Sequence, residues 1–136
     1  MTRWTPVRDV MTKKLITIQT TDQPLVATQV MTRHDIGSVV VTKNGRPVGI
    51  LTDRDIMKKL CPEERCRKVT AEEIMSSPLI TIGADAKLDE AVELMTDEGI
   101  RRLLVEEKGE IVGIVTIKDL MRGRRACARL CWVLRS

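Results

Sequence analysis

Aromatic residues are almost missing from this chain: Trp4 and Trp132 are its only two, with no Tyr and no Phe among 136 residues. Binding to single-stranded nucleic acid relies on aromatic platforms for base stacking, so that class is set aside. His34 is the single histidine. No Ser-His-Asp set and no paired carboxylates can be assembled around it, so no catalytic residue is assigned and the chain is read as a non-enzyme. No stretch approaches the roughly 18 apolar residues that cross a bilayer. The first ten residues lack the apolar run of a signal peptide. The expectation is a soluble cytoplasmic protein with no membrane partner. The C-terminal stretch 122–136 holds Arg122, Arg124, Arg125, Arg129 and Arg135 and no acid, within a net charge of +4, so the rest of the chain is near neutral. A basic tail on a neutral body is not a DNA-binding face, and no nucleic-acid partner is expected.

What is present is enough apolar material, 43% of residues, to bury a core in one domain or in two small halves that share one. A repeat organises it. Positions 7–58 align with 71–122 without a gap, and many of the paired positions are identical. Leu15-Ile16-Thr17-Ile18 recurs as Leu79-Ile80-Thr81-Ile82, and Val48-Gly49-Ile50 as Val112-Gly113-Ile114. Two copies are too few for a solenoid and suit a pseudo-two-fold pair.

Each copy reads as a short helical turn (7–11, 71–75), a strand (15–18, 79–82), a helix, a hairpin and a last helix. In the second copy Leu88, Ala91, Val92 and Met95 fall at i, i+3, i+4 and i+7 of the first long helix. Asp22 and Asp85 are its expected N-caps, and Pro24 suits a first turn. The apolar runs 38–42 and 47–51 flank Asn44-Gly45, a strong hairpin signal; 102–106 and 111–115 repeat it around Gly109. The last helix starts at Thr52 or Thr116. The order β-α-β-β-α, twice, predicts an α/β fold of small mixed sheets packed with helices. Residues 1–60 are the first repeat, 61–70 a linker, 71–123 the second repeat and 124–136 a basic helical tail.

The motif with chemistry in it is Gly-apolar-apolar-Thr-x-x-Asp, at Gly49 to Asp55 and again at Gly113 to Asp119. By itself it is a helix start, since Thr with an acid three residues on is nearly a capping box. Arg54 and Lys118 go beyond that. Each puts a cation in a first helical turn, where the macrodipole disfavours it by about 0.3–1 kcal/mol. A misplaced charge at both positions makes sense if an anion binds there. A carboxylate beside such an anion site can accept hydrogen bonds from a ribose diol. Together they suggest a nucleotide.

With these residues in place the chain resembles a tandem pair of CBS (cystathionine β-synthase) domains, a Bateman module. The likeness covers about residues 7–123. It rests on the doubled unit, on Asp35 to Val41 before Gly45-Arg46-Pro47-Val48-Gly49-Ile50, and on both Thr-x-x-Asp starts. The resemblance implies a regulatory sensor for adenine nucleotides, AMP first with ADP or ATP as variants. S-adenosylmethionine or NAD is an alternative ligand, and a scaffold dimer that binds no nucleotide is an alternative function. By resemblance, one cleft combines Thr52, Arg54 and Asp55 with Pro78, Ile80, Arg101 and Arg102. Its mate combines Thr116, Lys118 and Asp119 with Lys14, Ile16, Gly37 and Ser38. In this scheme the aspartates hold ribose hydroxyls, Arg54 and Lys118 meet phosphate, and Ile16 and Ile80 flank adenine, unless those isoleucines are ordinary strand core. The chain departs from the common pattern at Val40 and Leu104, where many members carry a Pro. A homodimer and an effector protein follow from the same resemblance.

Cys61/Cys66 and Cys127/Cys131 each lie just past the last helix of a repeat. Their spacings are not those of tight zinc knuckles, so no metal site is assigned. Reduced thiols are favoured over a disulfide. Cys127, Leu130, Cys131 and Leu134 would share one face of a continued helix, open to a neighbouring subunit or partner.

Overall fold

In the computed structural model, residues 4–59, 68–77 and 79–122 are described. The linker cysteines Cys61 and Cys66, the tail with Cys127 and Cys131, and Pro78 lie outside these residues.

Both hairpins close through two-residue turns in which both residues have positive φ, 53° and 78° at Asn44 and Gly45 and 53° and 80° at Lys108 and Gly109. This is the turn whose twist matches that of the flanking strands. It joins β2 (Ser38–Lys43) to β3 (Arg46–Thr52) and β5 (Arg102–Glu107) to β6 (Glu110–Thr116), as the Asn-Gly and Gly109 signals predicted. A short parallel strand, β1 (Thr17–Gln19) or β4 (Thr81–Gly83), completes each mixed three-stranded sheet, in the orders β1-β2-β3 and β4-β5-β6. In both hairpins the register slips once, from Gly49 to Pro47 and from Gly113 to Ile111, so Val48 and Val112 are bulged at matching positions.

The short strands begin two residues later than expected. Ile16 and Ile80 each accept one bond, from the amides of Val40 and Leu104, before the ladder proper begins. The N-cap assignments also need correction. Pro24 at the first position of α1 (Pro24–His34) makes Gln23 the cap, and Asp22 instead accepts from the Gln19 amide at 2.7 Å, closing the preceding turn. Lys87 caps α4 (Leu88–Glu98), its amide donating to Glu90 Oε2 at 2.7 Å, while Asp85 pairs with Arg8. The remaining helices are α2 (Asp53–Lys59), α3 (Ala71–Ile74) and α5 (Ile117–Arg122), with a 3-10 turn at Val7–Asp9.

The residues form two compact units, and these are not the two repeats. One gathers the described residues of Met1–Lys14 with those of Ile80–Ser136; the other holds those of Leu15–Leu79. In the latter, Ala27 and Met31 of α1 pack with Ile18, Val39, Val41 and Leu51 of the sheet and with Ala71 and Ile74 of α3. In the former, Leu88, Ala91, Val92 and Met95, the stripe read from the sequence, pack with Leu103, Val105 and Val115 and with Val7. Each sheet is thus covered by its own long helix and by the leading segment of the other repeat.

Candidate functional site

The last strand of each sheet runs straight into a short helix, and the Thr at the junction caps it. Thr52 Oγ1 accepts from the Asp55 amide at 3.0 Å, and Asp55 Oδ2 accepts from the Thr52 amide at 3.0 Å. In the second copy Thr116 Oγ1 accepts from the Asp119 amide at 3.2 Å, and Asp119 Oδ2 accepts from the Thr116 amide at 2.9 Å. Both are reciprocal capping boxes with Asp as the acid. The helix-start reading of the motif is therefore correct, and capping engages Oδ2 of each carboxylate.

What meets Oδ1 differs. Asp119 is buried, and its Oδ1 accepts from Arg122 Nη2 at 2.6 Å. Asp55 is half-buried, and Ser76 Oγ donates to it over a long 3.4 Å. Neither Ser76 nor Arg122, the latter read only as part of the basic C-terminal stretch, is assigned to the site by the sequence. Arg122 was within reach of such reasoning, because i,i+3 spacing on a helix brings it to Asp119. Ser76 was not, because it depends on a pairing with Ile50, which lies in the other repeat: the Ser76 and Ile50 amides and carbonyls exchange bonds of 2.8 and 3.1 Å.

The cations of the motif are exposed. Arg54 and Lys118 both point away from the core, and the Arg54 amide is held by Asp53 Oδ1 at 2.7 Å. Around the first helix start the sheet places Ser38 opposite Thr52, and the Gly37 carbonyl accepts from the Asp53 amide at 3.0 Å. Around the second it places Arg102 opposite Thr116, and the Arg101 carbonyl accepts from the Ile117 amide at 3.0 Å. Within a unit, then, Gly37, Ser38, Thr52 and Asp55 are neighbours, as are Arg101, Arg102, Thr116 and Asp119. Ile16 belongs to the first of these units and is half-buried, while the second contains exposed Lys14 and half-buried Ile80. Of the first cleft's expected residues, Thr52, Arg54 and Asp55 lie in one unit and Ile80, Arg101 and Arg102 in the other.

His34 ends α1 exposed to solvent, and no group of three or more His, Cys, Asp or Glu among the described residues could hold a metal ion. No helix among them is long and apolar enough to cross a membrane. What the geometry offers is a pair of fixed carboxylates, each oriented by its own backbone and each with an exposed cation one residue before it.

The profile of the CBS domain matches residues 7–61 and 71–125. The protein MK0525 of Methanopyrus kandleri is 40% identical over 119 residues, covering 85% of this chain, which spans 61% of that relative's length. A conserved protein of Pyrococcus horikoshii has a crystal structure that superposes with a TM-score of 0.83 at 33% identity, over 92% of this chain and 96% of that one. The CBS domain pair of protein MJ0100, solved with 5′-methylthioadenosine and S-adenosyl-L-methionine, superposes with a TM-score of 0.77 at 32% identity, over 87% and 94% of the two chains. The doubled β-α-β-β-α unit, the two capped Thr-x-x-Asp helix starts and the match over both repeats lead to one assignment: the chain belongs to the CBS domain family and carries two copies of the domain.

Proposed function

We propose that this CBS pair is a non-catalytic sensor of adenine nucleotides. AMP is the first ligand to consider, with ADP and ATP as the more anionic variants. The observation that carries the reading is the division of labour within Asp55. Its Oδ2 is fixed by the helix cap, while its Oδ1 has only the long Ser76 bond and so retains acceptor capacity for a ribose hydroxyl. Exposed Arg54 and Lys118 beside the caps supply cations for phosphate. The adenosine moiety shared by the two ligands of MJ0100 supports the adenine part of the reading and makes S-adenosylmethionine a necessary comparison.

A sensor needs a state for a partner to read. The ligand acts only through a difference in affinity between two states of the chain, and an effector protein that distinguishes those states carries the output. The same reading takes the chain to be a cytoplasmic homodimer. Exposed Met57 and Met121, at matching positions of α2 and α5, supply apolar surface for a second subunit.

Calorimetric titration with AMP, ADP, ATP and S-adenosylmethionine at one moderate salt concentration tests the reading. Saturable heat from at least one adenine nucleotide is expected, together with a melting temperature that rises with ligand concentration. No heat and no thermal shift from any of the four overturns it.

A further inference from the structure

The leading segments of the two repeats dock on the two sheets through the same backbone bonds. The Val7 and Arg8 amides donate to the Ala86 and Ala84 carbonyls; the Ala71 and Glu72 amides donate to the carbonyls of Asp22 and Thr20, the counterparts of Ala86 and Ala84 in the first repeat. Thr12 exchanges two bonds with Ile114, and Ser76 exchanges two with Ile50. Met11 lies over Gly113 and Met75 over Gly49, so closely that an added Cβ would meet the sulfur at 2.6 and 2.4 Å. These bonds and methionine contacts are common to both sites; the first segment adds one, the Thr5 carbonyl accepting from the Leu88 amide at 3.2 Å, which Pro24 at the matching position cannot donate.

Among the side chains that differ between the sites, Arg8 and Glu72 are of opposite sign, and so are Glu107 and Lys43. In one unit Arg8 pairs with Asp85 and Glu107. The counterparts of these acids in the first repeat are Thr21 and Lys43, and in the other unit Lys43 pairs at 4.0 Å with Glu72, the counterpart of Arg8. Both hydrogen bonds, to Asp85 first and then Glu107, hold the Arg8 guanidinium above its ordinary pKa. Exchanging the segments would set Arg8 beside Lys43 and Glu72 beside Asp85 and Glu107. It would also put Val7 where Ala71 is fully buried, and Ala71 where Val7 is fully buried, giving one overpacked site and one cavity.

We propose that charge sign addresses the two leading segments to their sheets: Asp85 and Glu107 form an acidic docking surface that selects the Arg8 segment, and Lys43 marks a basic one that selects the Glu72 segment. Each contact repels the wrong segment as well as attracting the right one, which adds specificity between sites that share most of their backbone bonds. The code determines which segment of the chain completes which unit.

The test exchanges the code in the full-length chain. One variant swaps the segments (Arg8→Glu with Glu72→Arg), a second swaps the surfaces (Thr21→Asp, Lys43→Glu, Asp85→Thr and Glu107→Lys), and a third combines both. Each is made with the four native cysteines replaced by serine and with a cysteine pair at 12 and 114 or at 12 and 50, read by a short thiol cross-linker. The ratio of the 12–114 to the 12–50 product should fall about fivefold in each single swap, the scale of exposed ion pairs. It should return to the parent value in the combined variant, with the urea midpoint following the same pattern. An unchanged ratio in the single swaps, or stability losses that simply add in the combined variant, overturns the proposal. The combined variant keeps the test decisive if a single swap fails to fold.

Discussion

Arg122 donates to Asp119 Oδ1 at 2.6 Å, whereas Asp55, the matching aspartate, has in place of that guanidinium only the Ser76 hydroxyl at 3.4 Å. Two caps of the same kind thus present different carboxylates. On the proposed reading a ribose hydroxyl would meet Asp55 Oδ1 directly, whereas at Asp119 it would compete with a cation already bonded there. The Arg122 side chain is 76% exposed, so this competition is screened by solvent and modest.

Nucleotide affinity should therefore depend more on the first motif. Asp55→Ala is expected to weaken binding more than Asp119→Ala does, by up to about tenfold, since a charge-assisted hydrogen bond is worth about 1.5–3 kcal/mol. Paired titrations of the two variants at one salt concentration decide it. Equal losses, or a larger loss from Asp119→Ala, would overturn the ranking.

Gly49 and Gly113 are fixed by close approach, not by backbone angle. An added Cβ at Gly49 would lie 3.0 Å from the Ser76 carbonyl oxygen, and one at Gly113 would lie 2.9 Å from that of Thr12, besides striking the methionine sulfurs. Gly49→Ala and Gly113→Ala should each destabilise the protein by about 1–3 kcal/mol in urea unfolding. Gly83→Ala, with nothing within 4 Å of the new methyl, is the control and should cost far less. Matching losses at all three glycines would show that these close approaches are not what constrains them.

Lys108 occupies a left-handed turn position at φ 53°, which Asn occupies in the first hairpin. Asn tolerates that region better than Lys because its short side chain bonds locally. Lys108→Asn should raise stability by about 0.5 kcal/mol and leave ligand binding unaltered. A lower melting temperature in a thermal scan would count against this account of the turn.

A dimer is expected from the exposed methionines and the assembly usual in the resembling family. Native mass spectrometry of freshly purified protein should show twice the 15.3 kDa chain mass, with any retained nucleotide visible as an added mass. A single-chain mass at micromolar concentration would contradict the dimer.

The repeat, the hairpins and the helix stripe were legible because each rests on local periodicity or turn chemistry. Asn44-Gly45 and the Leu88 to Met95 spacing act within a few residues. The N-caps were misplaced because Asp22 and Asp85 are good caps in composition but stand ahead of the residue that Pro24 or Leu88 makes the cap. The exchange of leading segments was not legible at all. Val7 buries in the unit of the second repeat and Ala71 in that of the first, and what distinguishes the segments, the charges at Arg8 and Glu72 and the sizes of Val7 and Ala71, carries no local signal of which sheet it meets. At the site, Thr52, Asp55, Thr116 and Asp119 were visible as motif residues, while Ser76 required a long-range pairing.

On the proposed reading the capping aspartates hold an adenine nucleotide. Its most direct test is calorimetric titration of the wild-type chain and of the Asp55→Ala/Asp119→Ala double variant with the same nucleotide, after circular dichroism has shown that both are folded. The account predicts saturable binding to the wild type and a loss of at least about tenfold in the double variant, as expected when charge-assisted bonds are removed. Equal affinity in the two proteins, or no adenine nucleotide bound by the wild type, would contradict it.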